Sequence, residues 1–192
     1  MSAMTIQPLT AARLDDYLHF FDHLAFIDNP HWASCYCYFY LADHDEREWQ
    51  SRTGAENRAA MQWLIASNRA HGYLAYLDDE PVGWCHAGPR AYFPVLQNDA
   101  DLRAADIDIS EVGSIVCFIV AHGYRQRGVA TRLLDAACIG FKAQGLLVAE
   151  AYPRMGRTSD AGNHHGPLSM YLNAGFQIVR EYRDVAVVRR TL

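Results

Sequence analysis

The chain has 192 residues, 51% of them hydrophobic and 20% charged, with a formal net charge of −5. That length fits one domain spanning residues 1–192, and the composition is that of a globular chain with a buried core. The acidic balance counts against a nucleic-acid binder that works by phosphate neutralisation, and no apolar run approaches the ~20 residues of a membrane span.

The opening MSAMTIQPLT lacks a basic segment followed by an apolar one, so no secretory leader is expected. Five cysteines, an odd and scattered set at 35, 37, 85, 117 and 138, read as reduced thiols in a cytoplasm rather than a disulfide framework. The negative charge mildly favours a cationic small substrate.

In chain order, Met4 to Leu9 reads as a short strand, and Thr10 as the cap of a helix carrying Leu14, Tyr17, Leu18 and Phe21 on one face. Asn29-Pro30 breaks that helix. The aromatic and thiol stretch WASCYCYFYL, residues 32–41, is either strand or irregular wall. Thr53 and Glu56 have the form of a capping box opening a helix that Gly72 ends. Residues 73–77 and 82–87 flank Asp78-Asp79-Glu80-Pro81 as a hairpin. Residues 89–108 form a long excursion.

SIVCFIV, residues 114–120, is an almost continuous apolar run, expected as a central strand buried on both faces. A turn at Arg125 to Ala130 leads into a helix with Ala130, Leu133, Leu134, Ala137 and Phe141 on one face and Gly145 beyond its end. Residues 146–152 form another apolar strand. A loop follows at 154–166, then a short helix from Pro167 to Gly175 and two closing strands, 176–182 and 185–189. The expected architecture is α/β or α+β, with helices packed on a mixed sheet.

The turn at 125–130 carries the chemistry. A glycine at 128 lets backbone approach a ligand, and the free amides of a turn entering a helix form an anion site suited to a pyrophosphate. Arg125, Arg127 and Arg132 could add charge. The spacing is neither a dinucleotide fingerprint nor a P-loop, and spacing alone is equally compatible with an ordinary solvated turn.

SIVCFIVAHGYRQRGVATRLLDAA, residues 114–137, resembles the signature segment of the Gcn5-related N-acetyltransferase (GNAT) superfamily: a strand ending in Val120, the Tyr124-Arg125 pair, then the turn to Ala130. SMYLNAGF, residues 169–176, resembles that superfamily's later helix-to-strand element. The match covers about residues 111–182. CYCYFY, NRAAM, EPVGWC and SIVCFIVA together resemble a subgroup of bacterial acetyltransferases.

The resemblance implies a mostly antiparallel sheet of six to seven strands, flanked by helices, with two central strands splayed apart. It implies acetyl-CoA as acyl donor. The amides of Gln126, Arg127, Gly128, Val129 and Ala130 would hold the pyrophosphate, with a contact from the Thr131 hydroxyl. The backbone of Phe118, Ile119 and Val120 would pair with pantetheine, and an amide near Val120 would polarise the acetyl carbonyl. Tyr171 stands where the superfamily often carries a general-acid tyrosine; the alternative is a packing residue.

For the base, Glu150 is a carboxylate inside an apolar strand, costly there unless paired or functional, and Glu111 precedes the central strand. His86 and His122 are further candidates, and water is an alternative relay. The substrate wall is expected from residues 32–40, 84–90 and 154–165, with Tyr36, Cys37, Trp84 and His86 as contacts. Cys35-x-Cys37 with scattered partners is a weak metal pattern, and no metal is expected.

The expected function is N-acetylation of a primary amine of a small molecule by direct attack in a ternary complex. The alternatives are an acyl-CoA-binding sensor or interaction module of the same fold, and a thiol or zinc regulator. A homodimer is expected only from its base rate.

Overall fold

A computed structural model describes residues 3–99, 102, 106–156, 159 and 162–192. Parts of the 89–108 excursion and of the 154–166 loop lie outside the described residues.

Seven strands form one sheet in the order β1-β2-β3-β4-β5-β7-β6. They are β1 (Thr5–Pro8), β2 (Gly72–Leu77), β3 (Glu80–Pro89), β4 (Val112–Val120), β5 (Val148–Ala151), β6 (Gln177–Tyr182) and β7 (Val185–Thr191). Every pairing is antiparallel except that of β4 with β5. The β2–β3 hairpin turns on Asp78 and Asp79, both with positive φ, the twist a two-residue hairpin favours.

Helices cover both faces. On one side α1 (Leu14–His23) and α2 (Gly54–Ala66) bury Tyr17, Phe20, Phe21, Met61 and Ile65 against Leu74, Tyr76 and Trp84. On the other, α4 (Val129–Ala143) and α5 (Leu168–Asn173) bury Leu133, Leu134, Ala137, Phe141 and Tyr171 against Val82, Ile115, Phe118 and Ala149. The central strand β4 serves both layers, with Cys117 facing the first and Phe118 the second. A β carbon on Gly83 would come within 2.7 Å of Val129 Cγ1, so this glycine lets the start of α4 sit close on the sheet.

The capping box forms as read. Thr53 Oγ1 accepts from the Glu56 amide, and the Glu56 carboxylate accepts from the Thr53 amide. The helix stops earlier than Gly72, however. Asn68 takes the left-handed conformation just past Ala66, and Gly72 begins β2 instead. The stretch 32–41 is not a strand but a series of 3-10 turns, Pro30–Cys35 and Phe39–Leu41, joined through Tyr36 and Cys37 at positive φ. Within the excursion, Pro94–Asn98 forms a short helix, α3. No helix among the described residues is long and apolar enough to cross a membrane.

Candidate active site

The site begins where β4 and β5 part. Their parallel pairing runs from Val112↔Val148 to Ile115↔Ala151 and stops there. Beyond Ile115, β4 continues alone on that side to Val120. The Phe118 amide donates instead to the His164 carbonyl at 2.6 Å. Alternation turns the Val120 amide and carbonyl to the same open side as those of Phe118. The Val120 carbonyl accepts from Arg125 Nε at 3.0 Å.

The turn after β4 is built from two left-handed residues, Gln126 (φ 60) and Gly128 (φ 77). Gly128 is the N-cap of α4, and no side chain caps the helix. Its first amides are therefore open for an anion. A β carbon on Gly128 would meet no atom within 4 Å, so the cradle is unobstructed. A cavity of about 220 Å³ lies here, bounded by Phe118, Val120, Gln126 and Ala130 on one side and by Asn163 and Gly166 on the other.

The nearby arginines have partners of their own. Arg125 is clamped by Asp28 through Nη1 at 2.5 Å and Nη2 at 3.0 Å, and this guanidinium holds the Asp28 carboxyl below its ordinary range. Arg132 donates to the Met4 carbonyl, and Arg127 lies over the Tyr124 ring. Thr131 is exposed on the first turn of α4.

A second cavity, of about 440 Å³, lies on the α1/α2 side of β4. Phe26, Trp32, Phe39 and Trp49 line it, with Cys35, Cys37 and Cys117. Arg154, His164 and His165 line it as well. A small cavity of about 70 Å³ joins the two. It shares Phe118, Val120 and Arg125 with the first and Phe26, Trp32, Ile119 and His164 with the second. The two chambers thus meet at the free end of β4.

Burial pushes the Cys35 thiol up to about 12 and the Cys37 thiol well above its ordinary value, so both stay protonated. Burial also pushes the His165 imidazole well below its ordinary value, with His164 and Arg154 adding to the effect, so it stays neutral. Among the described residues lining the second cavity, Arg154 is then the one permanently charged group and none is acidic.

Cys37, expected on the substrate wall, does line the cavity. Trp84 and His86 do not: both are fully buried behind that wall, with ring centroids 5.7 Å apart. Alternation along β3 turns them into the core packed by α1. Tyr36 also turns away, donating its hydroxyl to Asp22 at 2.7 Å.

The two carboxylates weighed as bases stand apart from the cavities. Glu150 is buried on the paired half of β5, opposite Ser114. It accepts from Tyr152 at 2.5 Å and from Arg189 at 2.6 Å, and ion-pairs with the buried Arg90 at 3.2 Å. Glu111 is exposed in the turn before β4, its carbonyl taken by the Leu147 amide. Tyr171 is buried directly behind Phe118 and Gly166, two residues of the first cavity wall. Its hydroxyl donates to the His165 carbonyl at 2.6 Å, and burial raises its pKa well above the ordinary value.

Sequence reasoning missed Phe26, Trp49 and Asp28, which no local pattern marks, and His164 as the side chain shared by the second and connecting cavities.

A family profile described as "Acetyltransferase (GNAT) family" matches residues 31–155. The chain belongs to the GNAT acetyltransferase family. Acetyl-CoA is its acyl donor, and the open amides of α4 with the cavity beside them fit that group. No curated protein sequence matches significantly. Among solved structures, the chain is similar to PaiA N-acetyltransferase from Thermoplasma acidophilum, in complex with coenzyme A, at 14% identity and TM-score 0.58 over 99% of both chains. It is also similar to an acetyltransferase from Thermus thermophilus, at 18% identity and TM-score 0.56 over 99% of this chain and 97% of that one. An N-acetyltransferase from Staphylococcus aureus gives 14% identity and TM-score 0.56 over 100% and 98%. At these identities the likeness shows the GNAT fold, a seven-stranded, mostly antiparallel sheet flanked by helices.

Proposed function

We propose that this chain transfers the acetyl group of acetyl-CoA to a primary amine of a small molecule by direct attack in a ternary complex. The observation that carries this reading is the meeting of two chambers, one at the amides of α4 and one lined by aromatic rings, at the free end of β4.

In this reading the pyrophosphate sits on the amides of Gln126 to Ala130, with Thr131 at the edge of the helix entrance. Pantetheine runs along the open edge of Phe118 to Val120. Because the Phe118 amide is held by His164, the free donor there is the Val120 amide, which polarises the acetyl carbonyl. The amine lone pair attacks that carbonyl. A C–N bond forms and the C–S bond breaks. The nitrogen gives up one proton and the leaving thiolate takes one, so the products are the acetamide and CoA-SH.

His164 is the ionisable side chain that lines both the aromatic and the connecting cavity, which supports it as the proton acceptor in place of Glu150 and Glu111. Tyr171 donates to the thiolate. Its hydroxyl must then leave the His165 carbonyl, at a cost of about 1 kcal/mol for one hydrogen bond. An acyl-enzyme on Cys35 or Cys37 is disfavoured because burial keeps both as thiols.

The test is release of free CoA thiol from acetyl-CoA, followed as primary amines are supplied. Amine-dependent release supports transfer. Saturable acetyl-CoA binding without release for any amine would favour a sensor of the same fold.

A further inference from the structure

The aromatic cavity has one permanently cationic side chain, Arg154, among its described lining residues. Its walls are the rings of Phe26, Trp32, Phe39 and Trp49, and its volume of about 440 Å³ suits a small molecule. Arg154 enters it just beyond β5, where its backbone bridges to Val185. The guanidinium makes one long ion pair with Asp184, at 3.5 Å. Its Nε is buried with no partner among the described residues. A guanidinium held by a single long ion pair keeps donors for a second acceptor, and a carboxylate offers the fork-shaped acceptor that guanidinium geometry matches.

Asp184, the counter-ion of Arg154, is not among the described residues that line the cavity. Among the described residues lining the cavity none is Asp or Glu. Two other acids of this side of the sheet are paired with arginines of their own: Asp28 with Arg125, and Asp22 with Arg58 at 2.7 Å. Beside Arg154, the His165 imidazole is neutral and bonded to the Tyr40 hydroxyl at 3.2 Å. A substrate dication would bring a second positive charge towards Arg154 where no described lining residue is a carboxylate, whereas an aromatic body is met by four rings.

We infer that the acceptor is an aromatic primary amine that carries a carboxylate, the carboxylate seated on Arg154 and the amine at the His164 end where the cavities join. This rests on the acetyl-transfer reading above, and it names the acceptor class.

Three amines of matched shape test it: 4-(aminomethyl)benzoate, benzylamine and 1,4-bis(aminomethyl)benzene, each with saturating acetyl-CoA. Binding of 4-methylbenzoate, followed by tryptophan fluorescence, reports on the cavity without turnover. The expected kcat/KM order is carboxylate, then neutral amine, then diamine, with at least tenfold between first and last. In Arg154→Met the KM for the carboxylate rises more than tenfold while that for benzylamine barely moves, and Arg154→Lys keeps part of the preference. Equal rates for the three amines, or a preference for the diamine, would overturn the inference and leave acetyl transfer standing. If 4-methylbenzoate binds in an Arg154-dependent manner but no amine is acetylated, the anion seat is supported and the transfer reading fails. If acetyl-CoA binds but neither the amines nor 4-methylbenzoate engage, the inference fails alone.

Discussion

The Phe118 amide donates to the His164 carbonyl at 2.6 Å across the gap that opens where β5 leaves β4. This bond does two things. It fastens His164 to the central strand, and it places the His164 side chain where the aromatic and connecting cavities meet, with its ring 5.5 Å from that of Trp32.

A base at that position has a specific kinetic signature. His164→Ala keeps the backbone carbonyl and so keeps the Phe118 bond. Its kcat should fall about a hundredfold, in the usual range for loss of a general base, with little change in acetyl-CoA affinity. The rise of rate with pH should move up towards the pKa of the amine itself. An unchanged pH–rate profile would remove His164 from proton transfer.

Tyr171 faces a sharper test, because its hydroxyl already has a partner in the His165 carbonyl. Tyr171→Phe should lower kcat at least tenfold while acetyl-CoA affinity holds. Loss of the hydrogen bond alone should cost stability by about 1 kcal/mol. Lost stability with unchanged kcat would make Tyr171 a packing and anchoring residue.

Glu150 is the counter-ion of a buried network rather than a base. Arg90 ties it to the 89–108 excursion by donating also to the Leu96 carbonyl, at 3.1 Å. Arg90→Met leaves a buried carboxylate short of one partner, and breaking such a pair costs about 3–5 kcal/mol. The urea midpoint should fall accordingly, while kcat of the folded fraction stays close to wild type. Glu150→Gln should likewise lose stability more than turnover. A large kcat loss at full stability would return Glu150 to the mechanism.

Acid should loosen the fold through His86. Burial lowers its pKa from 6.5 to about 3, with His71 adding to the effect. Above pH 6.5 the ring is neutral in both folded and unfolded chains. Below it, the unfolded chain takes up a proton that the folded chain refuses. Stability is therefore lost as pH falls from 6.5 towards 3, at up to roughly 1.4 kcal/mol per pH unit for this one group. Urea midpoints at about pH 7.5 and about pH 5.5, on either side of the unfolded pKa, should show the drop, and His86→Leu should shrink it. The same drop in His86→Leu would assign the effect to other groups.

Much of the cofactor half was legible because its signals are local. The apolar run of β4, the glycine turn and the amphipathic α4 follow one another within about thirty residues. Of the aromatic cavity, residues 32–40 and 154–165 were legible as wall, but residues 84–90 do not line it and Phe26 and Trp49 reach it from segments that carry no such signal. The 3-10 turns of that wall carry no periodicity. Glu150 misled for a related reason. Its partners Arg90 and Arg189 are far away in sequence, so a satisfied buried carboxylate looks, in one dimension, like an unexplained one. The early end of α2 was missed because Asn68, not a glycine, adopts the left-handed conformation there.

The most direct measurement is calorimetric titration of acetyl-CoA into the wild-type chain and into Gly128→Glu. The new β carbon meets no atom within 4 Å, so its folded-state cost is the strain of φ +77, about 1–2 kcal/mol. Its carboxylate would stand over the open amides of α4. Saturable binding to wild type and at least a hundredfold loss in a folded Gly128→Glu variant are predicted. Equal affinity in the two proteins would mean that the turn from Arg125 to Ala130 does not hold the pyrophosphate, and the assignment of the donor site would fall.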